Sequence, residues 1–173
     1  MQNNTELQRE ADEAVRVMKA GGIILYPTDT VWGLGCDATN AEAVERIYKL
    51  KRSENKKSML MLCASADMVV RYVNKAPGIA FEVMELATSP LTAILPGAAG
   101  VAENLIPEER TLGVRIPDHE FCRRILRGLG RPVVSTSANI SGEATPAGLA
   151  EVSREIIDGV DFVVNPRFEG KPT

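Results

Sequence analysis

The chain reads as a single α/β domain. Three observations carry that reading. Short apolar, β-branched runs alternate with segments of helical periodicity along the whole sequence. At 173 residues the chain is long enough to bury a substantial core without staples. No internal repeat, low-complexity tract or linker divides it, so residues 1–173 form one unit.

The elements follow in order. Leu7, Ala11, Ala14, Val15 and Met18 recur at helical spacing, with Thr5 and Gln8 as a capping box and Gly21 as the stop. Ile23-Ile24-Leu25-Tyr26, between Gly21-Gly22 and Pro27, reads as a buried strand followed by a polar loop. Asn40 caps a second helix whose apolar face is Val44, Ile47 and Leu50, and a basic tail follows. Met59-Leu60-Met61-Leu62-Cys63 reads as a buried strand, and residues 65–73 and 79–87 as two helices broken around Pro77-Gly78. Strands are expected at 91–95 and 112–116. The aperiodic stretch 97–110 between them reads as a mobile surface loop. A helix over 118–129 stops at Gly130 and leads into a strand at 132–135. Thr145 and Pro146 predict a helix start, with the helix running to residue 157. Phe162-Val163-Val164 is a last short strand.

Composition narrows the function classes. Hydrophobic residues are 45% and charged residues 25%, ordinary for a soluble globular protein. A formal charge of -3 gives no global attraction to nucleic acid or membrane, so any anion site must be local. Cys36, Cys63 and Cys122 are odd in number and widely spaced, which predicts reduced, packed thiols in a cytoplasmic protein rather than a disulfide framework or zinc site. No signal peptide opens the chain, and no apolar run approaches membrane-spanning length.

Four clusters hold candidate chemistry. Pro27-Thr28-Asp29-Thr30-Val31-Trp32-Gly33-Leu34 sits at the carboxyl end of the first strand, where α/β sheets bind ligands. It reads as a polar substrate site with an aromatic wall, or as a turn satisfied by its own side chains. Arg46, Lys49, Lys51, Arg52, Lys56 and Lys57 form a basic cluster, either a solvated helix end or a grip on a polyphosphate. In Thr111-Leu112-Gly113-Val114-Arg115, alternation puts Thr111, Gly113 and Arg115 on one strand face. An arginine there needs an anion, which is an internal carboxylate such as Asp118 or a ligand. Ser135-Thr136-Ser137-Ala138-Asn139-Ile140-Ser141-Gly142 carries more hydrogen-bonding side chains than one turn uses and suits a phosphate cradle, without P-loop spacing. His119, the only histidine, follows Pro117-Asp118 and reads as a helix-capping or surface residue. No grouping has metal-ligand spacing, so a metal would arrive with a nucleotide.

Together, in this order, the four clusters resemble the YrdC/Sua5 family over nearly the whole chain. The carriers are the octapeptide 27–34, Lys51 followed by Lys57, Gly113-Val114-Arg115-Ile116-Pro117-Asp118-His119, and the stretch 135–142. The resemblance implies a twisted mixed sheet with flanking helices and a concave cavity. It also implies synthesis of threonylcarbamoyl-AMP from L-threonine, bicarbonate and ATP (with Mg²⁺) for modification of adenosine 37 in tRNA. By the same resemblance, Thr30, Arg115 and Ser135 contact threonine, and Lys51, Lys57, Thr111, Ser137, Asn139 and Thr145 contact ATP. No protein side chain holds a metal or acts as a catalytic nucleophile. Downstream, tRNA and tRNA-modification proteins would receive the product, in the cytoplasm and without a membrane.

Two departures stand out. Family members usually carry Lys-x-Arg where this chain has Lys51-Arg52-Ser53, leaving Arg52 or Lys56 to stand in for the arginine. They also continue with a Ser- and Thr-containing strand where this sequence reaches Gly170-Lys171-Pro172-Thr173. Two other functions compete: a double-stranded RNA-binding module built on the basic tail, and a carbamoyl-adenylate-forming relative. Against the first stand the acidic balance and only eight aromatic residues.

Overall fold

The computed structural model describes residues 2–53, 59–75, 77–87 and 91–169. Its centre is a seven-stranded mixed sheet in the order β4-β5-β3-β6-β2-β1-β7. The strands are β1 (Ile24–Pro27), β2 (Trp32–Gly35), β3 (Leu60–Leu62), β4 (Thr92–Pro96), β5 (Thr111–Arg115), β6 (Val133–Ser137) and β7 (Phe162–Val163). Pairs β3–β5 and β1–β7 are parallel and the rest antiparallel. Among the described residues six helices flank it: α1 (Gln2–Lys19), α2 (Ala41–Lys51), α3 (Ala66–Tyr72), α4 (Gly78–Leu86), α5 (Glu120–Leu129) and α6 (Arg154–Gly159). The core includes Tyr26, Trp32, Met61 and Phe121, all fully buried. Among the described residues no helix is long and apolar enough to cross a membrane.

Strand β6 joins the two halves of the sheet. Val133, Val134 and Ser135 pair with β3, whereas Thr136 and Ser137 pair with β2. Residues directly opposite one another share a face, and alternate residues of a strand do too. The register therefore collects Thr111, Arg115, Ser135 and Ser137 on one face of the sheet, with Gly113 and Gly33 between them.

Several elements differ from their sequence expectation. Residues 32–35 are a strand, not a loop: Trp32 and Leu34 face the core on one side, while Gly33 and Gly35 leave the other side bare. Tyr26 lies across those glycines and donates to the carbonyl of Val134 at 3.1 Å. A Cβ at Gly35 would stand 2.6 Å from the Tyr26 ring. Helix α1 begins at Gln2, so Thr5 lies inside it and no capping box forms; Gln8 donates instead to Asp12 at 2.7 Å. The expected helix from Thr145 also fails. Gly148 is extended, a 3-10 turn covers Leu149–Glu151, and Ser153 is the cap of α6 through Ile156 N–H. Stretch 97–110 is packed rather than mobile on the surface. Leu105 and Ile106 are buried, Ala102 N–H donates to Ala38 at 2.8 Å, and the Asn104 amide donates to Ala41 at 2.9 Å. Where sequence and structure agree, the signal was local: Asn40 accepts from Ala43 N–H, and Gly130 adopts a left-handed conformation at the end of α5.

Candidate functional site

The turn after β1 is built by Thr28. Its hydroxyl oxygen accepts from the backbone N–H of Thr30 (3.1 Å) and Val31 (3.2 Å), and its one proton goes to the Val31 carbonyl at 2.6 Å. Next to it, at 3.1 Å, lies Thr30 Oγ1. Arg115 Nη1 donates to that oxygen at 3.1 Å. The turn reading of the octapeptide holds, since Thr28 satisfies the backbone, and the same turn presents the Thr30 hydroxyl.

Arg115 is clamped from three sides. Nε donates to Thr92 Oγ1 at 3.1 Å, and Nη1 also reaches Asp29 Oδ1 at 3.5 Å. Asp29, 3% exposed, accepts the Asp118 backbone N–H at 3.1 Å on its other oxygen. The internal carboxylate is thus Asp29 and not Asp118, whose side chain pairs with Arg123 at the surface. Asp29 is buried, paired and part of the frame that orients the guanidinium. Nη2 of Arg115 has no protein partner among the described residues, so one edge of the fork stays open to a ligand carboxylate.

A second group forms at the end of α2. Lys51 is 2% exposed and donates from Nζ to the Ser137 carbonyl at 2.5 Å, with Ser137 Oγ at 3.5 Å. The Ser141 N–H returns to the Lys51 carbonyl at 2.8 Å, tying the stretch after β6 to this helix end. Among the described residues no carboxylate pairs with Lys51, and burial pushes its pKa down to about 8. A buried cation held only by a carbonyl and a hydroxyl has capacity for an anion.

The Sua5/YciO/YrdC family profile, described as "Telomere recombination", matches residues 16–172. The chain belongs to this family. It is 37% identical over 152 residues to the threonylcarbamoyl-AMP synthase of Idiomarina loihiensis, covering 86% of this chain and 82% of that protein. Among solved structures it is similar to E. coli YciO, with a TM-score of 0.81 at 29% identity over 96% of this chain and 82% of that one. It is also similar to P. abyssi Sua5 complexed with L-threonine, with a TM-score of 0.83 at 26% identity over 91% of this chain. The matched region is 47% of that Sua5 chain.

Against this family frame, the remaining expected residues fall unevenly. Ser135 lies on the shared face and is buried beside Gly33, whose added Cβ would meet its Oγ at 3.6 Å. Thr111 opens β5 on the same face. Asn139 uses its amide nitrogen on the carbonyls of Ile140 and Glu143, while its Oδ1 is buried without a partner among the described residues. Thr145 is exposed, and among the described residues no hydrogen bond joins it to another candidate. Lys57 and Lys56 lie outside the described residues. Arg52 ends α2 in a left-handed conformation and pairs with Glu155 at 2.6 Å. Arg46 likewise pairs with Asp161 at 2.9 Å, so these two arginines of the basic cluster have surface carboxylate partners.

Two aromatic expectations change. Trp32 is not a wall of the substrate face but a core residue, 1% exposed, on the opposite side of β2. His119 holds the N-cap position of α5, as expected, but it makes no side-chain cap bond and is buried rather than at the surface. The residues missed by sequence reasoning are Thr92 and Tyr26. Thr92 becomes visible only through its pairing opposite Arg115, and Tyr26 through the alternating glycines of β2.

Proposed function

We propose that this chain joins L-threonine, bicarbonate and ATP into threonylcarbamoyl-AMP and releases pyrophosphate, supplying the adenylate for adenosine 37 of tRNA. The observation that carries this reading is the open Nη2 edge of Arg115 beside the Thr30 hydroxyl, a fork preset for the carboxylate of a small hydroxy amino acid. The L-threonine complex of P. abyssi Sua5 and the name of the Idiomarina relative support the same assignment. Ser135 completes the threonine end on the shared face.

The nucleotide end is assigned to Lys51, Ser137, Thr111, Asn139, Lys57 and Thr145. Among the described residues no cluster of acidic, histidine or cysteine side chains is grouped to hold a metal ion. A Mg²⁺ held by the phosphate oxygens would neutralise the departing pyrophosphate. The threonine amine takes up bicarbonate as a carbamate with loss of water, and a carbamate oxygen displaces pyrophosphate at the α-phosphorus. Arg115 and Thr30 hold the amino acid, while Lys51 and the hydroxyls hold the phosphates. Positioning and charge stabilisation are what the side chains supply. The activity belongs in the cytoplasm, with tRNA-modification proteins as downstream acceptors.

The test is ATP-dependent pyrophosphate release, expected only when L-threonine and bicarbonate are both present. Release indifferent to threonine overturns the reading.

A further inference from the structure

Glu169 joins two segments that lie far apart in sequence. Its Oε1 accepts from the indole Nε1 of Trp32 at 2.6 Å, and its backbone carbonyl contacts His119 Nε2 at 2.7 Å. A carbonyl only accepts, so His119 carries a proton on Nε2. Both donors are buried, Trp32 at 1% exposure and His119 at 9%. Phe168, packed at 9% exposure, anchors the backbone just before Glu169.

The two segments so joined are the ones that build the threonine end. Trp32 follows Thr30 along one chain segment, and His119 follows Arg115 along the other. They are cross-linked a second time nearer the substrate face, by Arg115 on Thr30 and Asp29 on the Asp118 N–H. We propose that Glu169 is a positioning residue: a clasp that sets the separation of Thr30 and Arg115 from outside the substrate face. This role rests on the threonine assignment above. Without the carboxylate, a buried indole N–H loses its acceptor, and the segment carrying Thr30 relieves that loss by shifting. Small displacements of a binding group are costly to substrate alignment.

Trp32 is the only tryptophan, so its fluorescence reads the clasp directly. In Glu169→Ala the emission shifts, KM for threonine rises roughly tenfold, and KM for ATP stays within about twofold. Glu169→Gln keeps an acceptor oxygen for the indole and restores both emission and threonine KM. Glu169→Asp, too short to reach, repeats the alanine result and serves if the alanine variant does not fold. An unchanged threonine KM in Glu169→Ala overturns the proposal, as does an equal rise in both constants. Wild-type pyrophosphate release that ignores threonine overturns the functional reading and this role with it. The emission then locates the fault: a shift in Glu169→Ala leaves the clasp standing as structure, and no shift removes it as well.

Discussion

Arg115 Nη1 lies 3.1 Å from Thr30 Oγ1, although β3 and β6 stand between β5 and the β1–β2 hairpin whose turn carries Thr30. Three interstrand steps of about 4.8 Å would set β5 and β2 roughly 14 Å apart. The Arg115 side chain and the turn that presents Thr30 bridge that separation. The contact joins two motifs that are far apart in sequence.

Thr30→Ala should remove a substrate contact at little cost to the fold, because Thr30 is exposed while Thr28 builds the turn. The expected loss in kcat/KM for threonine is about 10- to 100-fold, the worth of one or two hydrogen bonds to a charged group. Arg115→Lys keeps the charge but loses the fork that spans Thr92, Thr30 and Asp29, and should cost more than Thr30→Ala. Steady-state kinetics beside a thermal melt checks both.

Asp29→Ala should destabilise the fold by about 3 kcal/mol, since it leaves the buried Arg115 without its counter-charge and the Asp118 N–H without its acceptor. Asp29→Asn keeps an acceptor for that N–H and should cost less. Urea titration of the two variants gives the comparison. Equal losses would mean that the charge has no part in the frame.

Lys51 yields a pH signature. Burial lowers its folded pKa to about 8, below the value near 10.4 of an unfolded lysine. Below pH 8 both states are protonated and the buried charge is a burden. Between about 8 and 10.4 the unfolded state binds more protons, so this residue's contribution to stability improves as pH rises. Lys51→Met should therefore be more stable than wild type at pH 7, by a margin that narrows toward pH 10 in urea titrations. Nucleotide phosphates favour the protonated form, so KM for ATP should rise in wild type above pH 8.

Gly35→Ala should be strongly destabilising, because the new methyl would stand 2.6 Å from the Tyr26 ring and 2.8 Å from the Val134 carbonyl. A cost of about 1–3 kcal/mol is expected from overpacking. Tyr26→Leu in the same chain should recover part of it in the same denaturation experiment, as the ring is the nearest obstruction.

Much of the fold was legible because its signals are local. Asn40 and Gly130 mark helix ends by hydrogen bonding and by left-handed backbone, and apolar runs mark β1 and β3. The strand β2 was not legible, since Trp32-Gly33-Leu34-Gly35 is poor in β-formers and is held by pairing on both sides. Thr145 and Pro146 look like a helix start, but the turn at Leu149–Glu151 and the Ser153 cap take precedence. Of the site, Arg115 and Thr30 were readable as residue types that need a partner, whereas Asp29, Thr92 and Glu169 were not readable as those partners.

Local chemistry in the sequence thus decided the α/β class, the placement of polar residues at strand ends and the family. Which groups meet was decided by the tertiary structure alone. Strand order and register put Arg115 opposite Thr92, and its side chain reaches Thr30 and Asp29 in the turn after β1. Burial separates Lys51 from its neighbours: Arg46 and Arg52 find carboxylates at the surface, while Lys51 sits on Ser137. Hydrogen-bond partners and desolvation depend on distances across the sheet, and no spacing along the chain encodes them.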